Sequence, residues 1–216
     1  MKSIIILSGG LDSTTLLYTL LSEGKEVYAL SFYYGQRHDK ELEYAKKTCK
    51  KLGVNHKVID LFSIHSLIDN SSLTGNIEVP EGEYKDESMK STVVPNRNMI
   101  FASIAIGYAI NIGADELALG VHSGDHDIYP DCRPEFIEAL RNIAKIANYE
   151  QVDIYTPFLN ISKTDIVKIG IELNIDYSLT WTCYKGNERA CGKCGSCVER
   201  LEAFANNNLK DPIEYE

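Results

Sequence analysis

Apolar residues recur along this chain in two alternating rhythms. Ser3 to Leu7 is a nearly continuous β-branched and aliphatic run, the composition expected of a central parallel strand buried on both faces. The run stops at a glycine pair. From Ser13 to Leu21 the apolar residues Leu16, Leu17, Leu20 and Leu21 return at helical spacing, and Gly24 supplies a stop. Val27 to Tyr33 then predicts a strand, Lys40 to Leu52 a charged amphipathic helix ended by Gly53, and His56 to Leu61 another strand. Between Asn70 and Pro95 the rhythm fails, and polar residues with Gly75, Pro80 and Gly82 predict a long, mobile loop. Met99 to Ile112 predicts a largely buried helix, Glu116 to Leu119 a strand, and Gly120 to Arg133 a loop. Pro134 to Asn148 predicts a helix with proline in its first turn, Val152 to Tyr155 a short strand, and Ser162 to Leu173 a helix capped by Ser162.

Strands alternating with helices imply an α/β fold, a doubly wound parallel sheet with right-handed crossovers. Residues 1–180 carry that alternation, and residues 181–216 form a cysteine-rich segment expected to pack on it. No solenoid-type repeat or low-complexity tract interrupts the chain.

Composition narrows the function. The 216 residues are 44% hydrophobic and 25% charged, ordinary for one globular domain with a small appendage. Asp and Glu number 31 against 22 Lys and Arg, and no stretch collects five basic residues. Strong binding to a phosphate backbone needs clustered cations, so a small-molecule substrate is expected and a nucleic-acid partner is not. Ile4 to Leu7 is far too short to span a bilayer and runs into Ser8-Gly9-Gly10, so no membrane association and a cytoplasmic location are expected.

The strongest chemical signal is Ser8-Gly9-Gly10-Leu11-Asp12-Ser13, placed where the first strand turns into the first helix. Two glycines let backbone amides approach an anion closely, and the helix N-terminus offers unpaired donors and a positive dipole. Neither the Walker A pattern nor the dinucleotide Gly-x-Gly-x-x-Gly pattern occurs. The loop resembles that of the ATP pyrophosphatases, which grips the pyrophosphate end of ATP and leaves the α-phosphorus open to a substrate oxygen. On that resemblance Ser8, Gly9, Gly10, Leu11, Asp12, Ser13 and Thr14 are candidate nucleotide-binding residues. A glycine turn with a serine helix cap is the plainer alternative.

Cys183, Cys191, Cys194 and Cys197 supply four thiolates, enough to close a tetrahedral zinc site. Gly192 and Gly195 allow the tight turns between ligands, and Lys185, Arg189, Lys193 and Arg200 stand nearby to offset the charge. An iron–sulfur cluster also accepts four cysteines, and uncoordinated buried thiols are a third possibility. A closed site would order the segment and leave the chemistry to other residues.

In a doubly wound sheet the ligand sits beyond the carboxyl ends of the strands. The polar loops there are Tyr34-Gly35-Gln36-Arg37-His38, Pro95-Asn96-Arg97-Asn98, Gly120 to Arg133, and Thr156-Pro157-Phe158 with Lys163. Arg97 and Arg133 could neutralise a phosphate or carboxylate, and Asp125 or Asp131 could accept from an amino-purine edge or hold Mg2+. Lys163 could stabilise a pyrophosphate leaving group. His122 and His126 with Asp125 and Asp127 could instead mimic a hydrolase metal cluster.

Taken together, these motifs from about Lys2 to about Arg200 resemble the 7-cyano-7-deazaguanine synthase family. The resemblance implies a fold of the adenine nucleotide alpha hydrolase type and an ATP-dependent ligase converting 7-carboxy-7-deazaguanine and ammonia to the nitrile for queuosine. It implies adenylation of the carboxylate and then of the amide. On the same footing come ATP, Mg2+ and Zn2+ as cofactors, Asp12 and Lys163 as catalytic residues, Tyr129 beside Arg97, Asp125, Asp131 and Arg133 as substrate contacts, and a homodimer. A tRNA-thiolating relative, an amidating synthetase of the NAD or GMP type, a non-catalytic nucleotide sensor and a zinc-ribbon interaction module are the rival readings.

Overall fold

The computed structural model describes residues 1–37, 39–82, 87–185 and 188–216. Five parallel strands, β1 (Lys2–Ile6), β2 (Glu26–Tyr33), β3 (Asn55–Asp60), β4 (Glu116–Ala118) and β5 (Asp153–Tyr155), form one sheet in the order β3-β2-β1-β4-β5. The helices are α1 (Leu11–Ser22), α2 (Lys40–Leu52), α3 (Arg97–Ile112), α4 (Pro134–Ile146), α5 (Lys163–Glu172) and α6 (Gly195–Asn206).

The alternation within β1 decides which face each helix covers. Ile4 packs with Phe32, Phe101, Ala105, Leu117 and Leu140 on the face covered by α3 and α4. Ile5 points the other way, into Leu16, Leu20, Ala45, Ile166 and Phe204 from α1, α2, α5 and α6. A central strand buried on both faces therefore reads as an unbroken aliphatic run. Burying each leucine of α1 contributes roughly 1.5–3 kcal/mol, and Leu16, Leu17 and Leu20 are fully buried.

The chain leaves β1 toward β2 on one side and β4 lies on the other, so β1 and β4 flank the point where strand order reverses. The turns after these strands meet there: a Cβ on Gly120 would sit 3.4 Å from the Ser13 Cα.

One expectation needs correction, and one element was not foreseen. The segment from Asn70 to Pro95 is not a loose loop over its described part. Ser71, Ser72, Leu73, Thr74, Val79, Met89, Thr92 and Val94 are buried, and Glu87–Thr92 forms a 3-10 turn. Its apolar residues fill gaps singly, so they show no period, while Ser71 and Thr74 side chains bond to backbone: Ser71 Oγ donates to Ser91 O at 3.2 Å and Thr74 Oγ1 to Ile68 O at 3.0 Å. Residues 83–86 of that segment and His38 lie outside the described residues. The cysteine-rich segment, for its part, holds a full helix, α6, whose buried face (Cys197, Arg200, Ala203, Phe204) mixes thiol and cation with apolar groups and so masked the helical rhythm.

Candidate active site and four-cysteine centre

The phosphate loop is bent by local bonds. Ser13 Oγ accepts from Ser8 N at 3.2 Å and lies 3.0 Å from Ser8 Oγ, which itself accepts from Gly10 N at 3.1 Å. Gly9 takes φ +92°, and a Cβ there would lie 2.0 Å from the Glu41 carbonyl oxygen, so only glycine lets the loop pass against α2. Gly10 caps α1 without any side-chain hydrogen bond, which leaves the first amides of the helix available to an anion.

A cavity of about 240 Å³ opens in front of this loop. Ser8, Gly10, Leu11, Asp12 and Ser13 line it, together with Arg97, Asp125, Tyr129 and Lys163. Gly9 and Thr14 stand behind that wall, Gly9 against α2 and Thr14 buried within α1. Asp131 and Arg133 are turned to structural tasks. The Asp131 carboxylate accepts from Asn98 N at 2.9 Å, closing the first turn of α3, and Arg133 Nε donates to His126 O at 2.8 Å.

Lys163 opens α5 and is nearly fully buried, with Nζ 2.6 Å from Glu199 Oε2 and 3.4 Å from Asp12 Oδ2. Burial works against its charged form, but the carboxylates of Asp12, Glu199 and Asp125 outweigh burial and hold its pKa above the ordinary lysine value. The lysine is therefore a fixed cation beside the phosphate loop. His122 accepts from Gly124 N through Nδ1 at 3.1 Å, which leaves Nε2 facing Asp125 at 3.6 Å and Asp12 at 3.9 Å. Asp12 Oδ1 is buried with no hydrogen-bond partner among the described residues.

Across the cavity, Arg97 lies over the Tyr129 ring at 5.9 Å, and the Tyr129 hydroxyl is held by Thr92 Oγ1 at 2.7 Å and Tyr184 OH at 3.1 Å. Asn96 precedes α3 at φ 57°, a left-handed position that asparagine tolerates and that turns Arg97 inward. Cys132 also lines the cavity; burial pushes its thiol well above the usual range, so it is an inert wall group.

Two acids, Glu41 in the cavity wall and Glu199 behind Lys163, carry chemistry that the sequence did not announce. Glu199 emerges from α6, and Glu41 stands in the first turn of α2. Burial raises the half-buried Glu41 carboxyl to about 7, against the lowering effect of Arg97. Position after the second strand was the signal available for Glu41, but a charged amphipathic helix hides one acid among its neighbours.

The four sulfurs of Cys183, Cys191, Cys194 and Cys197 lie within 4.8 Å of one another and are all buried. Bonds of about 2.3 Å to one tetrahedral ion put sulfurs about 3.8 Å apart, so this spacing fits a single metal ion better than a cluster that interposes sulfides. Donors already point at the sulfurs: Cys191 N at 3.3 Å from Cys183 Sγ, Lys193 N at 3.4 Å and Cys194 N at 3.3 Å from Cys191 Sγ. The nearby side-chain cations are largely occupied elsewhere: Lys185 pairs with Glu81, Arg189 with Glu214 at 3.2 Å, and Arg200 with Asp211 at 2.6 Å. Backbone amides, more than side-chain charges, offset the thiolates.

The metal segment is latched to the phosphate loop. Trp181 N donates to Gly9 O at 3.0 Å, and the fully buried Arg200 binds Tyr177 O, Thr180 Oγ1 and Thr182 Oγ1 at 2.8–3.1 Å, holding the stretch of chain that carries Trp181 and Cys183.

Comparison with known proteins identifies the family. The family model described as queuosine biosynthesis protein QueC matches residues 2–208. The 7-cyano-7-deazaguanine synthase of Pseudoalteromonas atlantica is 60% identical over 215 residues, covering 100% of this chain and 99% of its own length. That of a Marinomonas species is 58% identical over 215 residues, covering 100% and 98%. Among solved structures, the U34-tRNA thiolase NcsA from Methanococcus maripaludis with its 4Fe-4S cluster superposes with TM-score 0.51 at 18% identity, over 82% of this chain and 58% of its own. The NH3-dependent NAD synthetase from Campylobacter jejuni gives 0.50 at 21% identity, over 82% and 66%. These two structures are similar in fold.

Proposed function

Since the chain belongs to the queuosine biosynthesis protein QueC family, whose full-length relatives are 7-cyano-7-deazaguanine synthases, we propose that it makes that nitrile from 7-carboxy-7-deazaguanine, ammonia and ATP through two adenylations. The observation that carries the chemistry is a phosphate loop with free helix-terminal amides facing a cavity that also holds a fixed lysine and an arginine.

A carboxylate is a poor electrophile. In the proposed reaction its oxygen attacks the α-phosphorus of ATP, forming the acyl adenylate and releasing pyrophosphate. The amides at Leu11, Asp12 and Ser13, with the hydroxyls of Ser8 and Ser13, grip the β- and γ-phosphates, and Lys163 meets the charge that develops on pyrophosphate. Ammonia then displaces AMP to give the amide. A second ATP takes the amide oxygen, and loss of AMP with two protons leaves the carbon–nitrogen triple bond. In this reading Arg97, braced by Tyr129, orients the acid, and Asp125 lines the same cavity. Asp131 and Arg133 serve this reading indirectly, by setting the α3 and α4 starts.

The orphaned Asp12 Oδ1 suits a ligand to Mg2+, which when bound would neutralise phosphate charge. Zinc is the ion proposed for the four cysteines, with a structural role, because a closed thiolate set leaves no position for substrate. The apolar Ile143, Ile146 and Tyr149, exposed at the end of α4, offer a face for the second copy of a homodimer, which light scattering would test. The acidic balance of the chain favours a small-molecule substrate in the cytoplasm over a nucleic acid.

The test is incubation with 7-carboxy-7-deazaguanine, ammonium and Mg-ATP, following nucleotide products and substrate mass together. AMP, pyrophosphate and the nitrile mass are expected. AMP released only with a different acid would move the substrate, and no ATP consumption with any acid would favour a sensor.

A further inference from the structure

We propose that Glu41 reads the amino-pyrimidinone edge of the deazapurine, accepting from N1–H and the 2-amino group; this rests on the substrate assigned above. Four carboxylates in or near the cavity already have cationic or amide partners. Asp12 faces Lys163 and His122, Asp125 faces His122, Glu199 holds Lys163, and Asp131 takes the Asn98 amide. Glu41 lines the cavity with no ion pair or hydrogen bond to any described residue. A half-buried carboxylate that faces a cavity without a partner is costly once a ligand excludes water from it, unless that ligand supplies donors.

The chemistry of the two ligands decides which one it meets. A guanine-type edge presents two adjacent donors, spaced to match the two oxygens of one carboxylate. Adenine presents one amino donor beside a ring-nitrogen acceptor, which a carboxylate repels. Glu41 sits in the first turn of α2, whose backbone touches Gly9, and lines the same cavity as Arg97. In this arrangement the phosphate loop holds the nucleotide, Arg97 takes the 7-carboxylate, and Glu41 takes the opposite edge of the same bicyclic ring.

The test measures binding of 7-cyano-7-deazaguanine and of its analogue lacking the 2-amino group, alongside ATP, to the full chain and to Glu41→Gln. The native protein should prefer the 2-amino compound by about 10- to 100-fold, as one bidentate edge contact allows. Glu41→Gln should shrink that preference to within about threefold while ATP affinity stays within about twofold. Glu41→Asp, which keeps the charge, should retain a measurable preference and covers the case in which the amide variant folds poorly. Preference undiminished in Glu41→Gln, or a loss confined to ATP, overturns the assignment to this residue while leaving the reaction standing. A native protein that binds neither compound and releases no pyrophosphate with the acid overturns both.

Discussion

Replacing Gly9 by alanine separates the geometry of the phosphate loop from the stability of the chain. The residue stands at φ +92°, and an added Cβ would lie 2.0 Å from the Glu41 carbonyl oxygen and 2.9 Å from Ala45 N. An ordinary carbon–oxygen contact is about 3.3 Å or longer, so the loop and α2 must separate by roughly 1.3 Å. Non-glycine residues held in such backbone regions cost about 1–3 kcal/mol. For a chain of this size that lowers Tm by about 2–12 °C. The functional loss should be larger than this suggests, because a misplacement of about 1 Å in a positioning element costs about 10²-fold in rate. Gly24→Ala is the control. It has φ +74° and nothing within 4 Å of its Cβ, so it should lose about 1 kcal/mol with activity unchanged. Acid-dependent pyrophosphate release would be measured at several ATP concentrations, well below both melting temperatures, with folding checked by circular dichroism. A Gly9→Ala protein within threefold of the parent, or Gly24→Ala losing as much activity, would refute the reasoning.

Two further outcomes follow from the same structure. Cys194→Ser should lower bound metal from about one ion per chain to well under half, and lower Tm before it lowers turnover of the remaining folded fraction; metal analysis paired with activity per folded molecule decides this. His56 is held below its ordinary pKa by burial and by Lys46, with Ser31 Oγ 2.7 Å from its Nε2. A histidine with a lowered folded pKa contributes stability above its unfolded value of about 6.5, and that stability is lost as pH falls through the folded pKa. Denaturant midpoints should therefore drop from about pH 7 to about pH 5 less steeply in His56→Asn than in the parent, and equal slopes would contradict this.

Much of this fold is legible in the order of residues, because a doubly wound sheet writes itself as aliphatic runs separated by amphipathic helices. Ile4, Ile5 and Leu7 announce a central strand, and the glycine pair beyond them announces the turn. Sheet order is not written there, since β4 reaches β1 only through contacts far along the chain. Nor is the packing of residues 70–82 and 87–95, whose buried Ser and Thr depend on distant carbonyls such as Ser91 O and Ile68 O. At the site, Asp12 and Lys163 and the four cysteines stand in recognisable patterns. Asp131 and Arg133 share the same polar loop as Asp125 and Tyr129, and only the fold shows that the first two bond to Asn98 N and His126 O while the other two line the cavity. Glu41 and Glu199 are single acids on charged helices, indistinguishable in sequence from solvated neighbours.

The hydrogen bond from Trp181 to Gly9 has a temporal meaning as well as a spatial one. Synthesis delivers the phosphate loop well before its latch, so a chain still emerging from the ribosome carries every residue of the loop without the contact that holds it. Under the proposed reaction, adenylating competence would then arrive only with the segment that carries the latch, and nucleotide chemistry would be withheld from chains that lack it.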